Sequence, residues 1–432
     1  MRADRDGSRL SIRGGTRVER DRIDAESESG LGGRWSRRDF GRVLAVGGLA
    51  APMVLSRPMA ARAQGDTGVG AGAEPAVAAY IAYVGARTTK ERNARGNGLN
   101  VYRVDAGTGA WTHVQLVGDL VNPSFLAFDR TGRFLYTVHG DLSDITAFSI
   151  DAATGELTRI NGQSTEGKNP VHLAIDPTNR FVVVANHITS TIALLTREED
   201  GSLGPVIDLV SLEGEPGPHR VEQPFAKPHQ VEFDPSGKYI AVPDKGRDVV
   251  FTYEIDAEAG KLVAATEPVA AREGAGPRHI AFHPAGALAY VVNELDSTVT
   301  AYRFDPATGV LAPFQLLTTL PDTFTGNSRA AEIAVSPDGR FVYASNRGHD
   351  SIAIFAVEEG TGRLAHAGWQ ESGGETPRFF AIDPNYQRLL VANEDTDSIV
   401  SFEIDRSNGS LRRVGEPVQV GSPVCIVFRP LG

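Results

Sequence analysis

One short pattern recurs seven times along this 432-residue chain, with anchors at Pro123, Pro170, Pro228, Pro277, Ala330, Pro377 and Pro423. Each copy reads as an anchor, two variable residues, alternating apolar positions, an Asp-like residue, often a proline, then often a glycine. Successive anchors lie 47, 58, 49, 53, 47 and 46 residues apart, which is the period of a propeller blade. A shared period argues for one closed body in preference to two or three separate domains. The hydrophobic content of 41% is enough to fill its core.

The copy at Pro277 shows the unit. Residues 278–282 alternate as a strand, and His283-Pro284-Ala285-Gly286 makes a turn. Residues 288–292, 297–304 and 310–317 supply three more strands, the last two joined through Asp305-Pro306-Ala307-Thr308-Gly309. Four short strands with Gly, Pro and Asx turns make one antiparallel blade. The last copy, at residues 422–430, stops after one strand, whereas residues 79–118 hold the missing three. The expected fold is therefore all-β: a seven-bladed β-propeller whose last blade is closed by N- and C-terminal strands, leaving no long free edge.

The N-terminus is read apart from the fold. Ser36-Arg37-Arg38-Asp39-Phe40 is a twin-arginine pattern, followed by an apolar run at 43–55 and a small-residue cleavage site, Ala61-Arg62-Ala63. The run is too short to span a bilayer, so it reads as a Tat address and not as a membrane anchor. Residues 1–63 are thus expected to be a cleaved signal region, 64–78 a flexible linker and 79–432 the propeller. The mature protein would be periplasmic or secreted, with the Tat machinery a partner of the precursor only. Without residues 1–63 the chain keeps 30 basic and 46 acidic side chains, a formal net charge of −16. That field disfavours nucleic acid and anionic lipid as partners. The single cysteine, Cys425, excludes an intrachain disulfide and reads as a small buried hydrophobe.

Comparing copies separates scaffold from candidate chemistry. In a propeller, the opening position of each innermost strand and the loop between strands two and three lie on one face, around the channel. The opening positions are Ser124, Val171, His229, Arg278, Ala331, Arg378 and Val424. The loop positions are His139, Asn186, Asp244, Asn293, Asn346 and Asn393, expected as structural Asx turns, followed by Gly140, His187, Lys245, Glu294, Arg347 and Glu394. His229, Arg278, Glu294, Arg347 and Arg378 break the repeat and crowd one face, a combination suited to an anionic or carbonyl-bearing small molecule. Lys245 belongs to the same rim. Strand alternation points His172 and His279 away from the channel, as packing residues. Insertions at 88–98, 212–227 and 321–329 overhang the face, and His219 and Arg220 are candidates to close over a ligand. Asp248, Asp350 and Asp397 read as blade-stabilising carboxylates. No metal-ligand, phosphate-loop or nucleophile-elbow motif is present, and no cofactor is expected.

Gly276-Pro277-Arg278-His279, Tyr290-Val291-Val292-Asn293-Glu294-Leu295 and Ser345-Asn346-Arg347-Gly348-His349-Asp350 resemble the lactonase family of seven-bladed propellers. That family includes bacterial propeller-type 6-phosphogluconolactonases and the fungal 3-carboxy-cis,cis-muconate lactonizing enzyme. The resemblance runs from about residue 79 to 430. It implies a site made of His229, Arg278, Glu294 sixteen residues later, and Arg347. It also implies opening of a lactone, with Glu294 or His229 as general base and the other as acid. Arg278 and Arg347 would hold the substrate anion and the oxyanion, supported by Arg378. The family's best-known substrate is a cytosolic phosphosugar, at odds with the export leader. Three other readings stay open: a lactonizing or cycloisomerase enzyme acting on an unsaturated diacid, a non-catalytic envelope-binding propeller, and a metal-dependent sugar lactonase.

Overall fold

The computed structural model describes residues 77–431. The twin-arginine leader, its cleavage site and most of the expected linker lie outside the described residues. Seven antiparallel sheets follow one another around a central channel. The blade at Pro277 consists of strands Pro277–Phe282, Leu288–Asn293, Thr298–Asp305 and Val310–Thr318, from the channel outward. The closing blade pairs Pro423–Pro430 with Ala79–Ala86, then Leu99–Asp105 and Trp111–Val117, so strands from both ends of the chain share one sheet. Among the described residues the one helical element is a 3₁₀ turn, Lys90–Arg92. Counting from Pro123, the complete blades are numbered 1 to 6 below and the closing blade 7.

The recurrent sequence features have structural work. Asp129, Asp176, Asp234 and Asp383 each accept two backbone N–H groups from the residues opening the next strand, which fixes the turn between strands one and two. A tyrosine hydroxyl on the second strand donates to the turn before the outermost strand of the next blade. The pairs are Tyr83 to Gly155, Tyr136 to Gly201, Tyr290 to Gly362 and Tyr343 to Gly409, at 2.8–3.0 Å. Gly362 takes φ 69°, and a Cβ there would stand 2.3 Å from Leu288, so the turn needs glycine both for its backbone and for the close blade contact. Apolar side chains of adjacent blades interleave; one such cluster joins Val183, Ile192 and Leu194 of blade 2 to Ile240, Val242 and Phe251 of blade 3.

Two local departures matter. In blade 3 the innermost strand shrinks to Glu232–Phe233, with only an isolated bridge from Pro228 to Asp244. Proline at the anchor is shared with five other blades and does not set blade 3 apart; there the Gln230 side chain is spent on the neighbouring blade, accepting the Ile280 N–H at 2.5 Å. The second departure is a one-residue bulge at the start of the innermost strand in six blades, as between Pro277 and His279. A bulge re-aims side chains, and here it decides what faces the channel.

Candidate active site

The bulge breaks the alternation expected from sequence. Arg278 and His279 both line the channel, as do Ser124 with Phe125 and Arg378 with Phe379. His172 likewise lines the channel farther along, so the placement of His172 and His279 away from it is corrected. Six of the seven opening positions, namely Ser124, Val171, His229, Arg278, Arg378 and Val424, enclose one chamber together with Arg87 and Glu332. Its volume of about 20 Å³ holds a water molecule and not a sugar. A larger ligand must sit above it, at the mouth.

At that mouth Glu294, which directly follows the second strand of blade 4, is buried among cations. Lys245 Nζ stands 3.0 Å from Oε1, while Arg278 Nε and Arg347 Nη2 stand 3.2 and 3.3 Å from Oε2. Arg329, from the 321–329 insertion, reaches to 3.6 Å. Burial alone would raise the Glu294 carboxyl, but Arg347, Lys245 and Arg278 override it and hold the group well below the usual carboxylate range. Glu222 extends the cluster outward, meeting Arg329 at 2.7 Å and Lys245 at 3.1 Å. Those cations, the Arg329 hydrogen bond foremost, draw its carboxyl down to about 2. Two guanidinium nitrogens, Arg347 Nε in this cluster and Arg87 Nη1 in the chamber below, are buried without a partner among the described residues. Buried unsatisfied donors call for an explanation, and an anionic ligand supplies one.

His229 is buried beside the same chamber. Its Nδ1 lies 3.2 Å from His279 Nε2, and His279 Nδ1 lies 3.0 Å from Glu332 Oε1. Desolvation first, then Arg278, His279, His187 and Arg378, keep His229 neutral far below its ordinary range. Arg378 faces Glu394 at 3.8 Å. Among the described residues no group of His, Cys, Asp and Glu is arranged to hold a metal ion; the site is built of guanidiniums, one ammonium, carboxylates and imidazoles.

Residues 81–428 match the family described as "Lactonase, 7-bladed beta-propeller". The chain belongs to the seven-bladed propeller lactonase family. It is 36% identical over 352 residues to a 6-phosphogluconolactonase of Bacillus subtilis, covering 81% of this chain and 98% of that one. Among solved structures it is similar to a periplasmic gluconolactonase of Pseudomonas aeruginosa, with TM-score 0.77 and 29% identity, covering 82% of this chain and all of that one. A putative 6-phosphogluconolactonase of Bacteroides fragilis gives TM-score 0.75 and 31% identity, covering 82% and 98%.

Within this propeller lactonase the sequence-derived candidates divide. Arg278, Glu294, Arg347 and Lys245 meet in one ion cluster, and His229 and Arg378 share the chamber with Arg278. His219 and Arg220 do not join them. Both are exposed, and His219 is engaged within its own loop, accepting the Glu222 N–H and donating its backbone N–H to Gln223. Glu222 is the member of that insertion that reaches the cluster. Arg92 and Arg95 of the 88–98 insertion are tied down by Asp141 and Asp397. Asp248 and Asp397 do stabilise blades: Asp248 accepts the Gly276 N–H and Asp397 the Ser422 N–H, each just before the next innermost strand. Cys425 is buried, and desolvation raises its thiol.

Proposed function

We propose that this protein hydrolyses a sugar-acid type lactone, probing its substrate with the charged mouth and attacking it with a water held in the chamber below. The observation that carries the reading is the convergence of Arg278, Arg347, Lys245 and Arg329 on Glu294, with Arg278 also lining, together with His229, a water-sized chamber. The relatives named as 6-phosphogluconolactonases and a gluconolactonase support hydrolysis over ring closure.

The roles follow from charge. Glu294 is locked as an anion by three close cations, so its proton affinity is low and it serves as the anchor that sets the guanidinium positions. His229 is neutral and takes the base role. It removes a proton from the water as that oxygen bonds to the lactone carbonyl carbon. Arg278 and Arg347 stabilise the oxyanion that forms. When the C–O ring bond breaks, the proton passes from His229 to the departing ring oxygen, leaving a hydroxyl and a carboxylic acid that then ionises to solvent. Arg347 also binds the substrate's own negative charge, together with Arg329, Lys245 and Arg378. Their local field overcomes a net-negative surface, which explains an anionic lactone as the preferred class.

Export belongs to the same proposal. The Arg37-Arg38 leader supports passage through the Tat machinery, and a periplasmic neighbour of the same fold is consistent with work outside the cytoplasm. Among the described residues no helix is long and apolar enough to cross a membrane. The test is to incubate residues 64–432 with phosphorylated and unphosphorylated aldonolactones and with an unsaturated diacid, following acid release and ring closure separately. Catalysed acid release from a lactone is expected; ring closure of the diacid without lactone opening would overturn the assignment.

A further inference from the structure

The imidazole pair below the mouth has a carboxylate at its far end. Glu332 Oε1 contacts His279 Nδ1 at 3.0 Å, His279 Nε2 contacts His229 Nδ1 at 3.2 Å, and all three side chains are buried. A neutral imidazole carries one N–H and one acceptor nitrogen, and the contact at one nitrogen decides the state of the other. Two consecutive imidazoles ended by a carboxyl group therefore have only two consistent arrangements. With Glu332 ionised, both rings carry the proton on Nδ1 and His229 Nε2 is a free acceptor. With Glu332 protonated toward His279, both rings carry it on Nε2 and His229 is a donor. Beyond Glu332 the channel opens into a cavity of about 730 Å³ that is also lined by Gln230, Glu232 and His172, which gives Glu332 a route to solvent on the side away from the mouth.

We propose that His279 and Glu332 are positioning residues that act as a proton relay for His229, so that the proton taken from water is stored on Glu332 while the ring opens. This rests on the reading of His229 as the base. The relay answers a difficulty in the site: an imidazolium at His229 would face Arg278 and Arg378 in a desolvated chamber. In the relay the water proton goes to His229 Nε2, the His229 Nδ1 proton passes to His279 Nε2, and the His279 Nδ1 proton passes to Glu332. The positive charge is thereby cancelled against a carboxylate. Return of each proton along the same path lets His229 Nε2–H protonate the departing ring oxygen and restores the starting state.

The groups facing Glu332 are His279 and Arg278 from blade 4, Arg378 from blade 6, Glu232 from blade 3, His172 from blade 2 and Cys425 from blade 7. Burial outweighs the pull of Arg278, of the Ile333 N–H donated to Oε1 at 3.1 Å and of Arg378, and pushes the Glu332 carboxyl up to about 8. It is a proton acceptor matched to the task, and His229 is base-competent above that range.

The test uses the full mature chain labelled with ¹⁵N at histidine. Ring ¹⁵N–¹H correlation spectra from pH 6 to 10 should show His229 and His279 exchanging tautomer together, with one midpoint, and Glu332→Gln should abolish the switch. Gln can still accept the His279 N–H but cannot store a proton. In lactone hydrolysis Glu332→Gln should keep KM, lower kcat by about 10²-fold, and lose the rise in kcat/KM with pH that wild type shows. Fixed tautomers across the titration in wild type overturn the relay, as does a Glu332→Gln enzyme with the wild-type kcat and pH profile. An inactive wild type whose tautomers switch would remove the lactonase reading and leave the relay standing. A Glu332→Gln chain that fails to fold leaves the decision to the wild-type spectra.

Discussion

Glu294→Gln tests the ion cluster as a physical object, apart from any activity. The substitution is nearly isosteric, but it leaves Lys245, Arg278 and Arg347, at 3.0, 3.2 and 3.3 Å, without their shared counter-charge. Removing one partner of a buried ion cluster costs about 3–5 kcal/mol. The described body has 355 residues, and at about 2.1 cal/mol/K of unfolding entropy per residue this corresponds to a fall in Tm of roughly 4–7 °C at pH 7. The pH dependence carries a sign. The folded carboxyl sits below its ordinary 4.5, so its contribution is fully present above that value and is lost as pH falls through the folded pKa. The gap between wild type and variant should therefore be constant from pH 8 to 5 and narrow in stronger acid. Thermal melts by circular dichroism at half-unit pH steps measure it. A gap under about 1 °C at pH 7, or one that widens in acid, would refute the cluster's energetic role.

Three further outcomes are expected. Deleting residues 423–432 removes the strand that pairs with Ala79–Ala86 and buries Val424, Cys425 and Ile426; the truncated chain should lose the cooperative melt of the full one, read by calorimetry. Arg347→Ala should raise KM for an anionic lactone at least tenfold while changing KM for a neutral analogue far less, since it removes a buried cation. Replacing Arg37 and Arg38 with Lys should hold the precursor in the cytoplasm, measured by cell fractionation and immunoblot.

The repeat made the ring legible because each blade restates its own constraints, the Asp-capped turn and the anchor before the innermost strand. Divergence at fixed repeat positions then exposed His229, Arg278, Glu294, Arg347 and Arg378, since scaffold residues agree between blades. His279 and Glu332 were hidden by the bulge: period-two alternation assigns the second residue of the strand to the opposite face, whereas the extra residue turns it into the channel. Arg87 directly follows the Ala79–Ala86 strand, at the repeat position that Glu294 holds in blade 4, but the anchor of the closing blade, Pro423, stands at the other end of the chain, so counting on from the anchor does not reach it. Glu222 lies in an insertion unique to one blade, so comparison between blades had nothing to align it with. His219 and Arg220 drew attention for their chemistry, but the hydrogen bonds of that loop turn Glu222 inward.

If His229 activates water beside the Glu294-centred cluster, the rate of lactone opening by His229→Ala against wild type will show it. Both proteins, as residues 64–432, would be assayed with phosphorylated and unphosphorylated aldonolactones in a pH-stat, with the uncatalysed rate subtracted and folding checked by melting temperature. Wild type should catalyse the opening, and kcat should fall by about 10²–10⁴-fold in the variant at an unchanged fold. A folded His229→Ala protein that opens the lactone at the wild-type rate would contradict it.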